Sequence, residues 1–371
     1  MKKIITLFIF LLAVAVAPLR AEEQNLYTPQ MFGVAKVKME LSTNDGEYRF
    51  DVRNSRIGVR GNASERMNYA IQIDYNNEGS ISILDSWVGY HVEGFAFKLG
   101  QQKIQFSTDL DRGPDSSPFS NRSFLSKYIT TYYYTEATAS GYDVTVKTMS
   151  SRDIGARIEY TIPKTTIKLS GGVFNGSGSN NPEWSSTANI VARVDVGAKE
   201  GFGAAASCYI GVTPTVSYAT FENGAWSDVV MDQKIRMYDA YVRYTKGDLF
   251  VEAEYAQRRL NQNEFHLAQA YYIHGTYRFQ INDNPIFKYF APHLRWDAGK
   301  NIEYYDYSIG DVFRYSSNRM TYSMNFGLSE KRIKSELRLA YEDYFVTAKP
   351  GDISYNKLLQ DKFTIEFVAA F

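Results

Sequence analysis

The chain of 371 residues has a single cysteine, Cys208, which excludes an internal disulfide. A small residue on a strand is the ordinary reading of that position. Histidine is scarce too: His91, His266, His274 and His293 offer neither a His-x-x-x-His pair nor a Cys/His metal spacing. Gly171-Gly172 is not followed by the Lys-Ser/Thr of a phosphate loop, so no nucleotide or other cofactor is implied. Charge of one sign is missing, with 41 basic and 41 acidic residues. Without Lys2, Lys3 and Arg20 the balance is 38 against 41, a net charge of about −3. That is no basis for a nucleic-acid partner. After the N-terminus no apolar run approaches the 20 or so residues of a transmembrane helix. No 3.6-residue amphipathic segment of useful length occurs there either.

Aromatics are abundant. Tyrosine numbers 29 and phenylalanine 23, and aromatics make up 15% of the chain. The last residues, Asp361 to Phe371, read DKFTIEFVAAF. Phe363, Ile365, Phe367, Ala369 and Phe371 fall on one face at period two, while Lys362, Thr364 and Glu366 begin the other. An alternating strand that ends on an aromatic, in a Tyr-rich chain, is the pattern of a bacterial outer-membrane β-barrel. Lipid takes its apolar face and a watery lumen its polar one. The N-terminus agrees. Met1-Lys2-Lys3 is a basic start, Ile4 to Ala17 is apolar apart from Thr6, and Leu19-Arg20-Ala21 offers a small residue for cleavage. Residues 1–21 read as a secretory signal peptide and 22–371 as one barrel domain.

Period-two segments recur along the whole mature chain. They place strands at 30–41, 48–60, 67–76, 83–92, 95–106, 153–162, 166–174, 189–197, 202–212, 235–246, 248–258, 267–279, 289–297, 318–328, 332–343 and 360–371. Tight turns such as Glu93-Gly94 and Lys246-Gly247-Asp248 alternate with longer polar stretches at 175–188, 213–234, 298–317 and 344–359. Every long loop follows an odd strand only if 107–152 is one third loop that includes the strand-like piece Tyr142 to Met149. This parity favours an all-β, transmembrane antiparallel barrel of sixteen strands over one of eighteen. A third loop of about 46 residues is too long for a plain connection. Inward folding that narrows the channel is the expectation, with an external cap or a trimer contact as the alternative. The loop holds Arg112, Arg122 and Lys127 against Asp109, Asp111 and Asp115, plus Tyr132-Tyr133-Tyr134. Pro114 and Pro118 argue against a continuous strand there.

In the second strand, outward Tyr48, Phe50 and Val52 place Arg49, Asp51 and Arg53 inward, whereas outward Ile57 and Val59 place Arg56, Gly58 and Arg60 inward. The phases differ by one residue, so a bulge is expected near Asn54-Ser55. Four arginines, Arg49, Arg53, Arg56 and Arg60, then line one strand on the lumen side, with Lys36, Lys38 and Lys98 as neighbours. Guanidinium forks fit phosphate or carboxylate oxygens. The competing reading pairs these arginines with Glu40, Asp51, Asp74 and Asp85 along the wall.

Several segments resemble the phosphate-selective porin O and P family. Arg53 to Gly61 reads RNSRIGVRG, Ile73 to Asn76 IDYN, Leu84 to Tyr90 LDSWVGY and Leu99 to Ser107 LGQQKIQFS. Phe119 to Phe124 reads FSNRSF, Arg152 to Gly155 RDIG and Gly172 to Gly178 GVFNGSG. Their order and spacing fit, with gaps, over most of the mature chain. The resemblance implies a trimeric, sixteen-stranded porin of the bacterial outer membrane with an inward third loop and anion-preferring conduction. The family's second strand carries more adjacent arginines than this one, where Asn54-Ser55 intervenes.

The expected function is therefore a non-enzymatic channel for passive diffusion of small hydrophilic solutes, anion- or phosphate-preferring, in a homotrimer surrounded by outer-membrane lipid. Two alternatives stand beside it. One is a specific barrel for a bulkier ligand such as an oligosaccharide, suggested by the Tyr-rich third loop. The other is a monomeric hydrolase using a Ser/His site between distant strands.

Overall fold

The structure of the chain, a computed structural model, describes residues 26–77, 80–130, 136–138, 141–143, 151–182, 184, 187–212, 216–222, 225–231, 234–261, 265–306, 311–330, 333–347 and 360–371. The segment read as a signal peptide lies outside them, as do Tyr132, Tyr133 and Tyr134.

Sixteen strands build the wall. They are β1 (Gln30–Ser42), β2 (Tyr48–Asn62), β3 (Met67–Asn77), β4 (Ser80–Val92), β5 (Phe95–Lys103), β6 (Arg152–Thr161), β7 (Ile167–Phe174) and β8 (Asn189–Gly197). The rest are β9 (Gly201–Val212), β10 (Lys234–Lys246), β11 (Leu249–Asn261), β12 (Phe265–Tyr277), β13 (Tyr289–Asp306), β14 (Asp311–Glu330), β15 (Lys334–Thr347) and β16 (Lys362–Ala370). A two-residue piece, Phe279–Gln280, continues β12 along the start of β13. Each strand pairs antiparallel with the next, and β1 pairs with both β2 and β16, so the sheet closes and leaves no edge. Phe371 extends this closure. Its backbone exchanges hydrogen bonds with Gly33 at 2.9 and 3.1 Å. A Cβ on Gly33 would lie 2.6 Å from the Phe371 ring, so the glycine makes room for it.

The two faces differ as alternation requires. Val37, Phe50, Ile71, Leu99, Phe202 and Phe367 are exposed on the outer face, and Lys36, Lys38, Glu252, Arg295, Arg338 and Glu366 are buried on the inner one. The bulge in β2 is where the phase change puts it. Val34 pairs with Arg56 and Lys36 with Arg53, so Asn54 and Ser55 together oppose Ala35. Asn54 takes a left-handed backbone (φ 55°), which asparagine tolerates well.

Two loop expectations need correction. Segment 298–317 is mostly strand: β13 and β14 continue to Asp306 and Asp311 as a long hairpin past the usual membrane-spanning length. Its polar alternation, with Glu303, Arg314 and Asn318, reads as a loop when strands are sought by apolar periodicity alone. Segment 213–234 contains a second small hairpin, Val216–Glu222 against Ala225–Met231. The strand-like piece at Tyr142 forms only a three-residue pairing, Glu136–Thr138 with Gly141–Asp143, outside the barrel sheet.

The packed core lies inside the barrel. Residues after β5 turn away from the wall at Ile104 and pass through a one-turn α-helix, Thr108–Asp111, and a single π-helical turn, Leu125–Ile129. Ile104, Phe106, Leu110, Phe124, Leu125, Tyr128 and Ile129 pack against Ile235, Met237, Ala256, Leu260, Ala268 and Ala270, which face inward from β10–β12. Small inward residues on β11 and β12 leave the volume these loop side chains fill. Among the described residues, no helix is long and apolar enough to cross a membrane.

Candidate functional site

The segment from Ile104 to Thr130 is held by the inner face of β8–β15. Glu254 on β11 accepts from the backbone N–H of Thr108 at 2.5 Å and of Asp109 at 3.0 Å, and from the Ser107 hydroxyl at 2.8 Å. A carboxylate thus takes the free donors at the start of the helix. Arg112 forms a forked pair with Glu252 at 2.9 and 2.6 Å. Asp109 lies 3.6 Å from Arg112 and accepts from Ser123 at 2.6 Å. Burial pushes the Asp109 carboxyl up, but Arg112 and Arg122 outweigh it and hold the group below its ordinary range.

Farther along, β13 and β14 grip the loop through its backbone. Arg295 donates to the Asn121 carbonyl at 3.2 Å, Arg319 to the Arg122 carbonyl at 2.7 Å and Asn325 to the Pro118 carbonyl at 2.9 Å. These arginines are neutralised within the wall. Arg319 meets Asp297 at 3.0 Å and Glu342 at 2.9 Å, and Arg295 meets Asp297 at 2.8 Å. Each also lies on an aromatic ring of the loop, Arg295 on Phe119 (4.1 Å) and Arg319 on Phe124 (5.1 Å). Arg338 closes the row with Glu336 at 2.6 Å and Glu366 at 3.1 Å.

The adjoining strands β1–β5 carry most of the cations expected from the sequence. Lys36 pairs with Glu366 at 3.2 Å, and Lys38 lies 2.5 Å from Glu40, both buried. Arg49 meets Glu40 at 2.5 Å and Arg56 meets Asp74 at 2.7 Å, so part of the wall-pairing reading holds. Asp85 pairs instead with Arg152 at 3.0 Å. Four cations differ. Arg53 donates to the Asn121 side chain at 3.2 Å, Arg60 lies on the Phe32 ring at 5.3 Å, and Lys98 on the Trp87 ring at 4.5 Å. Arg122 donates to the Asp109 backbone carbonyl at 2.8 Å. Among the described residues none of these four forms an ion pair with a carboxylate. Lys127, exposed, stands over the Tyr128 ring at 4.9 Å.

Asn121 links the β13–β16 row to β1 and β2 and was not singled out by charge reasoning. Its amide donates to Glu40 at 3.2 Å and Glu342 at 3.0 Å, and its oxygen accepts from Lys38 at 3.1 Å and Arg53 at 3.2 Å. The FSNRSF segment was the signal that could have found it. Glu254 and Arg319 were likewise invisible, because a wall residue's partner on a distant loop leaves no periodic trace. His274 and His293 do face inward. His274 contacts Glu252 through Nδ1 at 3.0 Å and His293 through Nε2 at 3.1 Å. Both ring nitrogens are thereby engaged, and Phe119 packs edge-on against the pair. A cavity of about 370 Å³ opens beneath Asp115–Pro118 toward the short-turn rim, bordered by His293, Arg278 and Lys334.

The barrel is similar to solved outer-membrane proteins at identities that speak for the fold alone. The trimer form of OmpT, an outer-membrane protein of Vibrio cholerae folded in vitro, aligns with a TM-score of 0.58 and 13% identity, covering 94% of this chain and 100% of that one. An anion-selective porin from Comamonas acidovorans aligns with a TM-score of 0.57 and 12% identity over 93% and 99%. The outer-membrane channel DcaP of Acinetobacter baumannii gives 0.56 and 12% over 94% and 99%. No curated protein sequence matches the chain significantly. Residues 33–326 match the sequence profile of phosphate-selective porin O and P. With most of its length so matched and its strands closed into a sixteen-stranded barrel, the chain belongs to the phosphate-selective porin O and P family, channels for small solutes in the bacterial outer membrane.

Proposed function

We propose that small hydrophilic solutes pass between the 104–130 segment and the inner face of β2–β7, and that anions pass more readily than cations. The carrying observation is the set Arg53, Arg60 and Lys98, cations held by an amide or a ring with no carboxylate at ion-pair distance among the described residues. Such groups keep their field for a passing ion. Arg49 and Arg56 add charge beside them but share it with Glu40 and Asp74. The segment narrows the passage because its apolar residues fill the β10–β12 side. The proposed channel is non-enzymatic, and among the described residues the His274–His293 pair has both His274 nitrogens engaged by Glu252 and His293. Assembly is as a homotrimer, as the trimeric form of the similar Vibrio barrel suggests. The aromatic-loop reading, a specific site for an oligosaccharide, rests on Tyr132–Tyr134 and has no support among the described residues.

Reversal potential across a planar bilayer under a potassium chloride gradient tests this directly. An anion-selective sign is expected. A cation-selective sign overturns the preference, and liposomes that fail to swell in any small solute overturn the open channel itself.

A further inference from the structure

The outer face also carries charge. Lys234 and Arg236 on β10, Arg259 on β11 and Lys300 on β13 are exposed and point away from the lumen, in phase with lipid-facing Tyr238, Tyr255 and Trp296. All four stand at the rim bearing the 213–233 connection, the side of the longer loops. Arg236 and Arg259 are direct cross-strand partners, and Lys300 pairs with Gln269 one strand farther on. Like charges set opposite one another destabilise a sheet. A lipid-facing arginine is tolerated only near the interface. Outward positions of β9 to β13 up to Lys300 contain no aspartate or glutamate among the described residues. The Arg259 guanidinium instead lies 5.9 Å from the Tyr238 ring.

Depth fits a headgroup. Tyr238, Tyr255 and Trp296 mark the aromatic belt of the membrane interface. Arg236 lies two residues beyond Tyr238 toward the rim, roughly 7 Å along the strand. The same rim on the β1–β4 side is apolar, with Tyr48, Phe50, Tyr75 and Ile81 exposed, so the basic patch does not reach that side. We infer that the outer face of β10–β13 at the long-loop rim holds a phosphate-bearing lipid headgroup, gripped by Arg236 and Arg259 with Lys234 and Lys300 beside them. Forked guanidinium donors match phosphate oxygens. The anion relieves the repulsion between the paired arginines. This site is separate from the channel and acts on the surrounding membrane.

The full-length protein in detergent micelles, titrated with a doubly phosphorylated glycolipid and followed by native mass spectrometry, tests it. The parent should bind the phosphorylated glycolipid at least tenfold more tightly than its dephosphorylated form. Arg236→Gln with Arg259→Gln should abolish that difference while leaving single-channel conductance and ion selectivity unchanged. Millimolar inorganic phosphate should not displace the lipid. Equal binding of the two glycolipids by the parent, or an unaltered preference in the double variant, overturns the inference. So does full displacement by inorganic phosphate, which would make this a site for the free anion. If the double variant does not fold, Arg259→Gln and Lys300→Gln taken singly carry the same comparison. Because conductance is read in parallel, failure here is distinguishable from failure of the channel reading.

Discussion

The arginine row of β13–β16 and three cations of β2 and β5 are held in different ways. On β13–β16, Arg295, Arg319 and Arg338 lie against Asp297, Glu342, Glu336 and Glu366, nearly fully buried, with the loop packed over the row. On β2 and β5, Arg53, Arg60 and Lys98 meet an amide oxygen or an aromatic ring. The first arrangement exchanges water for fixed partners and so serves as an anchor. The second leaves net charge facing the passage and so serves ions. A chain with equal numbers of acidic and basic residues can therefore still present a cationic path, because neutrality is satisfied throughout the β13–β16 row and only in part on β2 and β5.

The sharpest way to break this contrast is to remove an anchor. Arg319→Ala takes one of two cations from buried Asp297, which keeps Arg295, and leaves Glu342 with Lys362 at 3.9 Å, so its cost stays below the roughly 3–5 kcal/mol of a buried pair broken outright. It also removes the donor to the Arg122 carbonyl and the ring contact with Phe124. Unfolding in guanidinium of the refolded barrel should show a markedly lower midpoint. Single-channel conductance should rise as the loop loosens. An unchanged midpoint would mean that the β13–β16 row solvates the wall as loosely as the β2 row does.

Asn121 tests the link between the β13–β16 row and the β1–β2 cations. Asn121→Ala removes two donors to buried carboxylates and one acceptor for two cations. Leaving such groups unsatisfied costs about 1–3 kcal/mol. The expected readout is a smaller midpoint shift than for Arg319→Ala, with noisier open-channel current, since the loop stays anchored at Glu254 and Arg112. Quiet current equal to the parent's would show that the amide only fills space.

How much of this was legible in the sequence follows the range of each interaction. Strand positions, faces, barrel closure and the β2 bulge come from period-two alternation, which is local. Tyr48/Phe50/Val52 followed by Ile57/Val59 fixes the phase break without any knowledge of β1. Parity of loop lengths likewise isolates the third loop. The β13–β14 hairpin was missed because strands that continue past the membrane need no apolar face. Which arginines are neutralised was open for a different reason. Arg56 and Arg53 are three residues apart in one motif, yet one meets Asp74 on β3 and the other Asn121 on the loop. Partner choice at 18 or 68 residues' separation is a property of the closed barrel.

Acid offers a milder probe of the anchor side. The folded Asp109 carboxyl is held below its ordinary range by Arg112 and Arg122. A depressed folded value means that its stabilising contribution is fully present above the unfolded value, near 3.9, and is lost as pH falls through the folded one. Conductance should thus stay level from pH 7 to about 4 and climb only in stronger acid, where the loop start is released. Replacement of Asp109 by Asn should flatten that acid limb. A transition centred near pH 6 would assign the loosening to another group.

The smallest effect belongs to the cationic wall. Arg53→Gln removes one charge beside the passage and keeps a donor for Asn121. A unit charge at about 4 Å in water is worth about 1 kcal/mol, and Arg53 is exposed, so the anion-to-cation permeability ratio should fall by less than about fivefold. The shift should be larger at 0.1 M salt, where the Debye length is about 10 Å, than at 1 M, where it is about 3 Å. Arg56→Gln uncovers Asp74 and so exchanges a neutral pair for a negative charge. It should move the reversal potential farther toward cations than Arg53→Gln does, although Arg56 is the less exposed of the two. The double variant should add the two shifts, and phosphate should block its chloride current less than the parent's. If Arg53→Gln leaves the reversal potential unmoved at low salt while Arg56→Gln shifts it, the field in the passage is set by the wall pairs. The distinction between a neutralised and a free wall would then fail for Arg53 in particular.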